Sequence, residues 1–210
     1  TGGSTFLEAI DDGPAAVLGV FVDDRHQVLW VCHVDLSVMG GNAAEAPSVL
    51  RKIDIATARE IGRFTLPPGS LANDVATLPD GSVYCADTSG ARIVRVRAGS
   101  NEVEEWFSHP ALRGADGISF GPDWLLYVNN VITHRLFRIA VRPDGTPGAL
   151  EEVQLSQPLS GPDGMRFAPN GRLYVAENSS GRASELTIEG DRASVRVLRE
   201  GLDGPASLTP

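Results

Sequence analysis

The chain has 210 residues, a formal net charge of −9, and a composition that is 42% hydrophobic and 21% charged. That suffices for a sizeable buried core and excludes disorder by composition. The acidic balance argues against nucleic acid, whose binding rests on clustered Lys and Arg, and suits a cation, a neutral small molecule or simple solubility. No apolar run approaches the length of a membrane span, and no signal peptide is visible, so no membrane partner is expected. The chain opens "TGGSTF" without an initiator Met. An upstream segment is therefore expected to have been removed or left out, which leaves the compartment open between cytoplasmic and periplasmic or secreted. Cys32 and Cys85 sit inside the apolar runs "VLWVCHV" and "SVYCAD" and read as buried free thiols in preference to a disulfide.

Taken in chain order, "STFLEAI" (4–10) reads as an outer strand. "AVLGVFVDDRHQVLWVCHVDLS" reads as two strands joined by a turn. The stretch 44–60 has some helical character, but "SVLRKIDIAT" alternates apolar and polar residues and fits a third strand better. "DIATARE" is then the turn to an outer strand "IGRFTL". Three close copies of one pattern follow: "LANDVATLPDGSVYCADTSGARIVRV" (71–96), "GADGISFGPDWLLYVNNVITHRLFRI" (114–139) and "GPDGMRFAPNGRLYVAENSSGRASEL" (161–186). Each has a polar dyad, a short apolar strand, a turn, a second apolar strand ending in a polar residue, and a third strand. The tail "GLDGPASL" reads as the opening strand of a further copy. The residues before the first strands are Leu18, Asn73, Asp116, Asp163 and Ala206, spaced 43 to 55 residues apart. Such a period, with about four short strands per unit, predicts an all-β β-propeller, because one four-stranded sheet cannot bury both faces alone. Whole blades are expected over about 17–66, 71–108, 114–155 and 161–200, with partial blades over 1–12 and 201–210.

The turns agree with this. "LPDGS", "APNGR" and "RPDGT" place Asp-Gly or Asn-Gly where positive φ is needed. At 122–125 the slot reads "PDWL". Trp124 stands where Gly is expected, so a different turn is predicted there, with the indole either capping a neighbouring blade or lying on the surface.

The phrases "NDV…PDG…Y.AD", "DGI…YV.N" and "PDGM…G.LYVAEN" resemble the gluconolactonase, senescence marker protein and luciferin-regenerating enzyme family over residues 15–210. The resemblance implies a six-bladed propeller, with a divalent cation, usually calcium, at the mouth of its central channel. It also implies hydrolytic activity on lactones and, in some members, organophosphates. Four whole blades and two end pieces are fewer than six.

The innermost strand of a propeller blade starts near the axis, so the residues just before it project into the central opening. Asn73, Asp116 and Asp163 on three consecutive blades thus offer an amide and two carboxylates to one point. This all-oxygen set suits a hard cation such as Ca2+ better than zinc or copper. Each residue alone is equally a turn former bonded to nearby amides. By the resemblance, Asn73 and Asp163 match family metal ligands, and Asp116 stands where the family has Asn. A further Glu, which the family draws from its first blade, has no counterpart here. The inherited mechanism has the metal polarise a lactone carbonyl while Asp163 activates water as general base.

Asp74 is expected to point away from the axis in a structural role. Polar residues ending the second strands, among them Asp87, Asn129, Asn130, Glu177 and Asn178, lie on the pocket side. Asp87, Asn129 and Glu177, with His134, are candidates for the substrate mouth, and blade-to-blade hydrogen bonding is the competing role. His33 and His134 are read as following second strands. No G-x-S-x-G, P-loop or dinucleotide fingerprint occurs. The expected function is hydrolysis of a lactone or related small ester by a metal-dependent propeller. The alternative is a non-catalytic propeller binding a small ligand or protein on the same face.

Overall fold

A computed structural model describes residues 15–35 and 48–209. The expected outer strand at 4–10 and the start of the 44–60 stretch lie outside the described residues. The described chain is all-β and propeller-like. Its first unit comprises β1 (Ala15–Asp23), β2 (Val28–Asp35), β3 (Val49–Asp54) and β4 (Glu60–Thr65). The second comprises β5 (Ala72–Thr77), β6 (Val83–Asp87), β7 (Arg92–Val96) and β8 (Val103–Ser108). The third comprises β9 (Ala115–Phe120), β10 (Leu125–Asn130), β11 (Leu136–Val141) and β12 (Pro147–Leu155). The fourth comprises β13 (Pro162–Phe167), β14 (Leu173–Glu177), β15 (Arg182–Glu189) and β16 (Arg192–Arg199). Consecutive strands within each unit pair antiparallel, and a short parallel contact between β12 and β16 joins the third blade to the fourth.

The apolar core lies between blades. Val83 and Cys85 of β6 pack against Trp30, Cys32 and Leu50 of the first blade. Their neighbours Tyr84 and Ala86 face the third blade, against Ile118, Leu126 and Phe137. Leu126 and Val128 of β10 look back to the second blade, while Tyr127 looks forward to Met165 and Leu173. Side chains alternate across a strand, so a strand covered on both faces needs a continuous apolar run, as "VYCA" and "LLYV" are. Cys32 and Cys85 are free and buried. Their mutual hydrogen bond, with burial, holds the Cys85 thiol well above the usual range.

A polar latch repeats on the outer strands. Arg95 lies between Tyr84 and Glu104 in register, and Arg138 between Tyr127 and Glu151. Arg95 Nη1 donates to the carbonyl of Gly145 in the next blade at 2.6 Å, and Arg138 Nη1 donates to that of Gly190. In the fourth blade the register is Tyr174, Glu185, Arg196, so an acid stands where the latching Arg stood.

The three Asp/Asn-Gly hairpins and the Asp-Trp hairpin use one turn. Gly81, Gly145 and Gly171 have φ of 92°, 80° and 77°. Trp124 adopts φ 61° and donates its N–H to Gly121 O at 3.0 Å, as Gly81 does to Leu78 O at 2.9 Å. The expectation of a different turn is thus corrected. Asp123 caps Leu125 N as Asp80 caps Ser82 N, and that capped turn holds the Trp backbone in the left-handed region. The tail is corrected as well. Residues 201–209 form no ladder strand, although Gly164 N donates to Ala206 O at 2.9 Å.

Candidate functional site

Each first strand carries a β-bulge near its start. Pairing shifts between Val17 and Val20, between Ala72 and Val75, between Ala115 and Ile118, and between Pro162 and Met165. The bulged pairs are Leu18–Gly19, Asn73–Asp74, Asp116–Gly117 and Asp163–Gly164. The residues expected just before the first strands therefore sit inside them, at the second position of β5, β9 and β13. A bulge bends the strand and re-aims a side chain. Here it turns one residue per blade toward a single cavity of about 50 Å³, lined by Leu18, Asn73, Asp116, Asp163 and Ala206 together with Gly19, Val20, Asp74, Gly164 and Ser207.

The residue after each cavity residue is Gly in three of the four bulges. A Cβ at Gly19 or Gly117 would run into the carbonyl oxygen of Asn73 or Asp163 in the next blade. Glycine thus lets each inner strand close onto its neighbour. Position 74 is the exception. Asp74 is buried and accepts from Val75 N at 2.9 Å and Ile118 N at 3.0 Å. Both its oxygens are also held by Arg166, at 2.6 and 2.7 Å. It is among the residues around the cavity, while its carboxylate ties β5 to β9 and β13, the structural role expected of it.

Within the cavity, Asn73 Nδ2 donates to Asp116 Oδ2 at 2.9 Å and to Thr88 Oγ1 at 3.1 Å. Asp163 Oδ1 accepts from Gly164 N at 2.8 Å. Asp116 Oδ1 is buried and faces no donor. The Asp116 and Asp163 carboxyls lie within hydrogen-bonding reach of each other. Two ionised carboxylates have acceptors only, so this contact is satisfied by a shared proton or by a cation. Burial, and then the neighbouring Asp163 charge, push Asp116 up to about 8. Burial also raises Asp163, against the hydrogen bond from Asp116. Among the described residues no cluster of three or more His, Cys, Asp or Glu side chains is placed to hold a metal. The cavity offers two carboxylates and the Asn73 carbonyl oxygen. A donor-less buried oxygen beside a second carboxylate fits a hard cation.

The expected substrate-mouth residues lie elsewhere. Asp87 is buried and takes Gly90 N and Arg92 Nε of its own blade, and Ser70 Oγ and Leu71 N of the segment leading into it, as donors. Glu177 is buried on Ser160 N and the Ser184 hydroxyl. Asn129 accepts from Gly117 N and donates to Asp163 O at 2.6 Å, which is a blade-to-blade bond. None of the three lines the cavity. Each ends a second strand where backbone N–H groups of an adjoining turn or strand lack partners, and supplies an acceptor there. His134 is exposed in the turn after β10, with φ 60°. His33 lies inside β2, with Nδ1 3.4 Å from Arg51 Nη1. The residue that sequence reasoning missed is Arg166. It stands three residues after Asp163, where the other blades have Phe21, Ala76 and Ser119, so the repeat itself held a signal.

No family model and no curated protein sequence matches the chain. Solved structures do. A gluconolactonase from Xanthomonas campestris superposes with a TM-score of 0.66 at 18% identity, over 92% of this chain and 65% of that one. A virginiamycin B lyase from Staphylococcus aureus gives 0.65 at 18% identity, over 90% of this chain and 57% of that one. A structure of the nidogen/laminin complex gives 0.70 at 16% identity, over 92% of this chain and 68% of that one. The chain spans little more than half the length of the lyase. The expected likeness to gluconolactonase structures is present, and the fold of this chain is the propeller fold they share.

Proposed function

We propose that the chain carries a metal-dependent hydrolase site for a lactone or related small ester, with calcium between Asn73, Asp116 and Asp163, in a propeller of the six-bladed type. The observation that carries this is the pairing of a buried and a half-buried carboxylate across one cavity, with one oxygen of the buried Asp116 lacking any donor. A fold shared with a gluconolactonase supports the reaction class.

The residues divide the work as follows. Asn73 orients Asp116 through its amide N–H. Asp116 is the more buried acid and holds the shared proton when no cation neutralises the pair. Asp163 is the less enclosed carboxyl and accepts a proton from water as general base. Bound there, the cation supplies Lewis-acid polarisation of a carbonyl and stabilises the oxyanion. A cavity of about 50 Å³ is far below the roughly 300 Å³ or more of a small-molecule pocket. It takes an ion or a few waters, so the substrate stands above it, at the opening.

The test is lactone hydrolysis by the purified chain with added CaCl2 and with a chelator. We expect turnover that calcium restores, and a loss of roughly 100-fold or more in kcat for Asp163→Asn. Turnover indifferent to chelation would overturn the metal mechanism. Calcium binding without turnover on any lactone would leave the non-catalytic, ligand-binding propeller as the reading.

A further inference from the structure

Arg166 and Asp74 are the features that break the repeat. Nη1 of Arg166 donates to Asp74 Oδ2 at 2.6 Å, Ile118 O at 3.0 Å and Met165 O at 2.6 Å, and Nη2 donates to Asp74 Oδ1 at 2.7 Å. The guanidinium also lies over the Phe21 ring, 5.4 Å from its centroid. One side chain therefore touches the inner strands of all four blades, with only 16% of its surface exposed. Asp74 adjoins Asn73, and Ile118 and Met165 each stand two residues beyond the cavity acids. Asp74 lines the cavity, and Arg166 backs Asp74 from outside that lining.

The charges in and directly behind the cavity lining can be counted. Asp74, Asp116 and Asp163 contribute three negative charges when ionised, and Arg166 contributes one positive charge. The sum is −2, the charge that a divalent cation neutralises. The fork geometry also turns both Asp74 oxygens away from any guest, since a bidentate guanidinium occupies them.

We propose that Arg166 is a specificity-determining residue that sets the cavity's charge for a divalent cation by neutralising Asp74. This rests on the reading of the cavity as a cation site. It concerns a residue that touches no expected ligand and that the repeat does not supply in the other blades. Removing Arg166 leaves the cavity one charge more negative, and a trivalent ion gains more from that charge than a divalent ion does.

The experiment is calorimetric titration with CaCl2 and with TbCl3 at one pH near 6.5 and one ionic strength. The chains are wild type, Arg166→Lys, Arg166→Met, Asp74→Asn and the double variant Asp74→Asn/Arg166→Met, each checked for folding by circular dichroism. Relative to wild type, the preference for Tb3+ over Ca2+ is expected to rise about tenfold in Arg166→Met, from one added charge at short range. It is expected to fall in Asp74→Asn, and to stay within about twofold of wild type in Arg166→Lys and in the double variant. A structural role for the pair would lower stability without moving this ratio. Should Arg166→Met not fold, the opposite movement in Asp74→Asn still decides. An unmoved ratio in the variants that fold and bind both ions overturns the proposal, as does an Arg166→Lys shift as large as that of Arg166→Met. Wild type binding neither ion overturns the cation reading itself, and this proposal with it.

Discussion

Asp116 shows how one side chain can be held in tension by its neighbours. Asn73 offers it a hydrogen bond, while burial and Asp163 oppose its charge. Its pKa of about 8 in the fold exceeds its ordinary 3.8. The folded state therefore binds the proton more tightly than the unfolded chain does. The contribution to stability is full below about pH 4, declines as the unfolded carboxyl ionises, and is lost by about pH 8. Asp116→Asn removes that titration. In thermal melts with chelator present, the variant is expected to gain on wild type steadily from pH 4 to pH 8. Parallel melting curves across that range would show that Asp116 is ionised throughout.

At the scale of the element, bulges and turns do most of the positioning. The four bulges present the cavity residues, and the capped turns return each strand beside its partner. Trp124 is the costly member of that set. A bulky residue at φ 61° carries about 1–2 kcal/mol of strain that Gly avoids. The indole is 56% exposed, so little packing offsets the strain. Trp124→Gly is expected to stabilise the chain by about 1 kcal/mol, after allowance for the freer unfolded chain, and to raise Tm by about 2–4 °C. A drop in Tm would mean that packing of the indole along the depression it lines with Leu78 and Pro79 outweighs the strain.

Across the whole molecule, stability resides between blades. Three apolar clusters join four blades, and Gly19 and Gly117 let inner strands approach within contact of the next blade's carbonyls. At Gly117 the obstacles to a Cβ are Asp163 O and the Asn129 amide, neither of which is a free side-chain end. Gly117→Ala is therefore expected to cost about 1–3 kcal/mol in denaturant unfolding and to weaken cation binding, because it pushes Asp163 away from Asp116. Unchanged stability would show that the blades can slide apart at no cost. The two ends of the arc differ from its middle. Val17, Val20 and Val22 of β1 are more than half exposed, and the fourth blade carries Glu185 where the second and third carry a latching Arg.

The amino-acid sequence by itself determined the unit of structure and its period. Strand alternation, Asp-Gly and Asn-Gly turns, and spacings of 43 to 55 residues are local signals, because each depends on residues a few positions apart. The same period picked out Leu18, Asn73, Asp116, Asp163 and Ala206, and they do line one cavity. What the period could not carry was how each position is used. Asp87, Asn129 and Glu177 end their strands on the expected side, yet unpaired backbone N–H groups beside them claim their oxygens. The bulges that aim Asn73, Asp116 and Asp163 leave no mark in an alternating pattern. The Asp74–Arg166 pair joins residues 92 positions apart, and only the stacking of blades brings them together. Local sequence sets what each blade is. The charge and depth of the space between blades follow from contacts that exist only once the chain has closed around it.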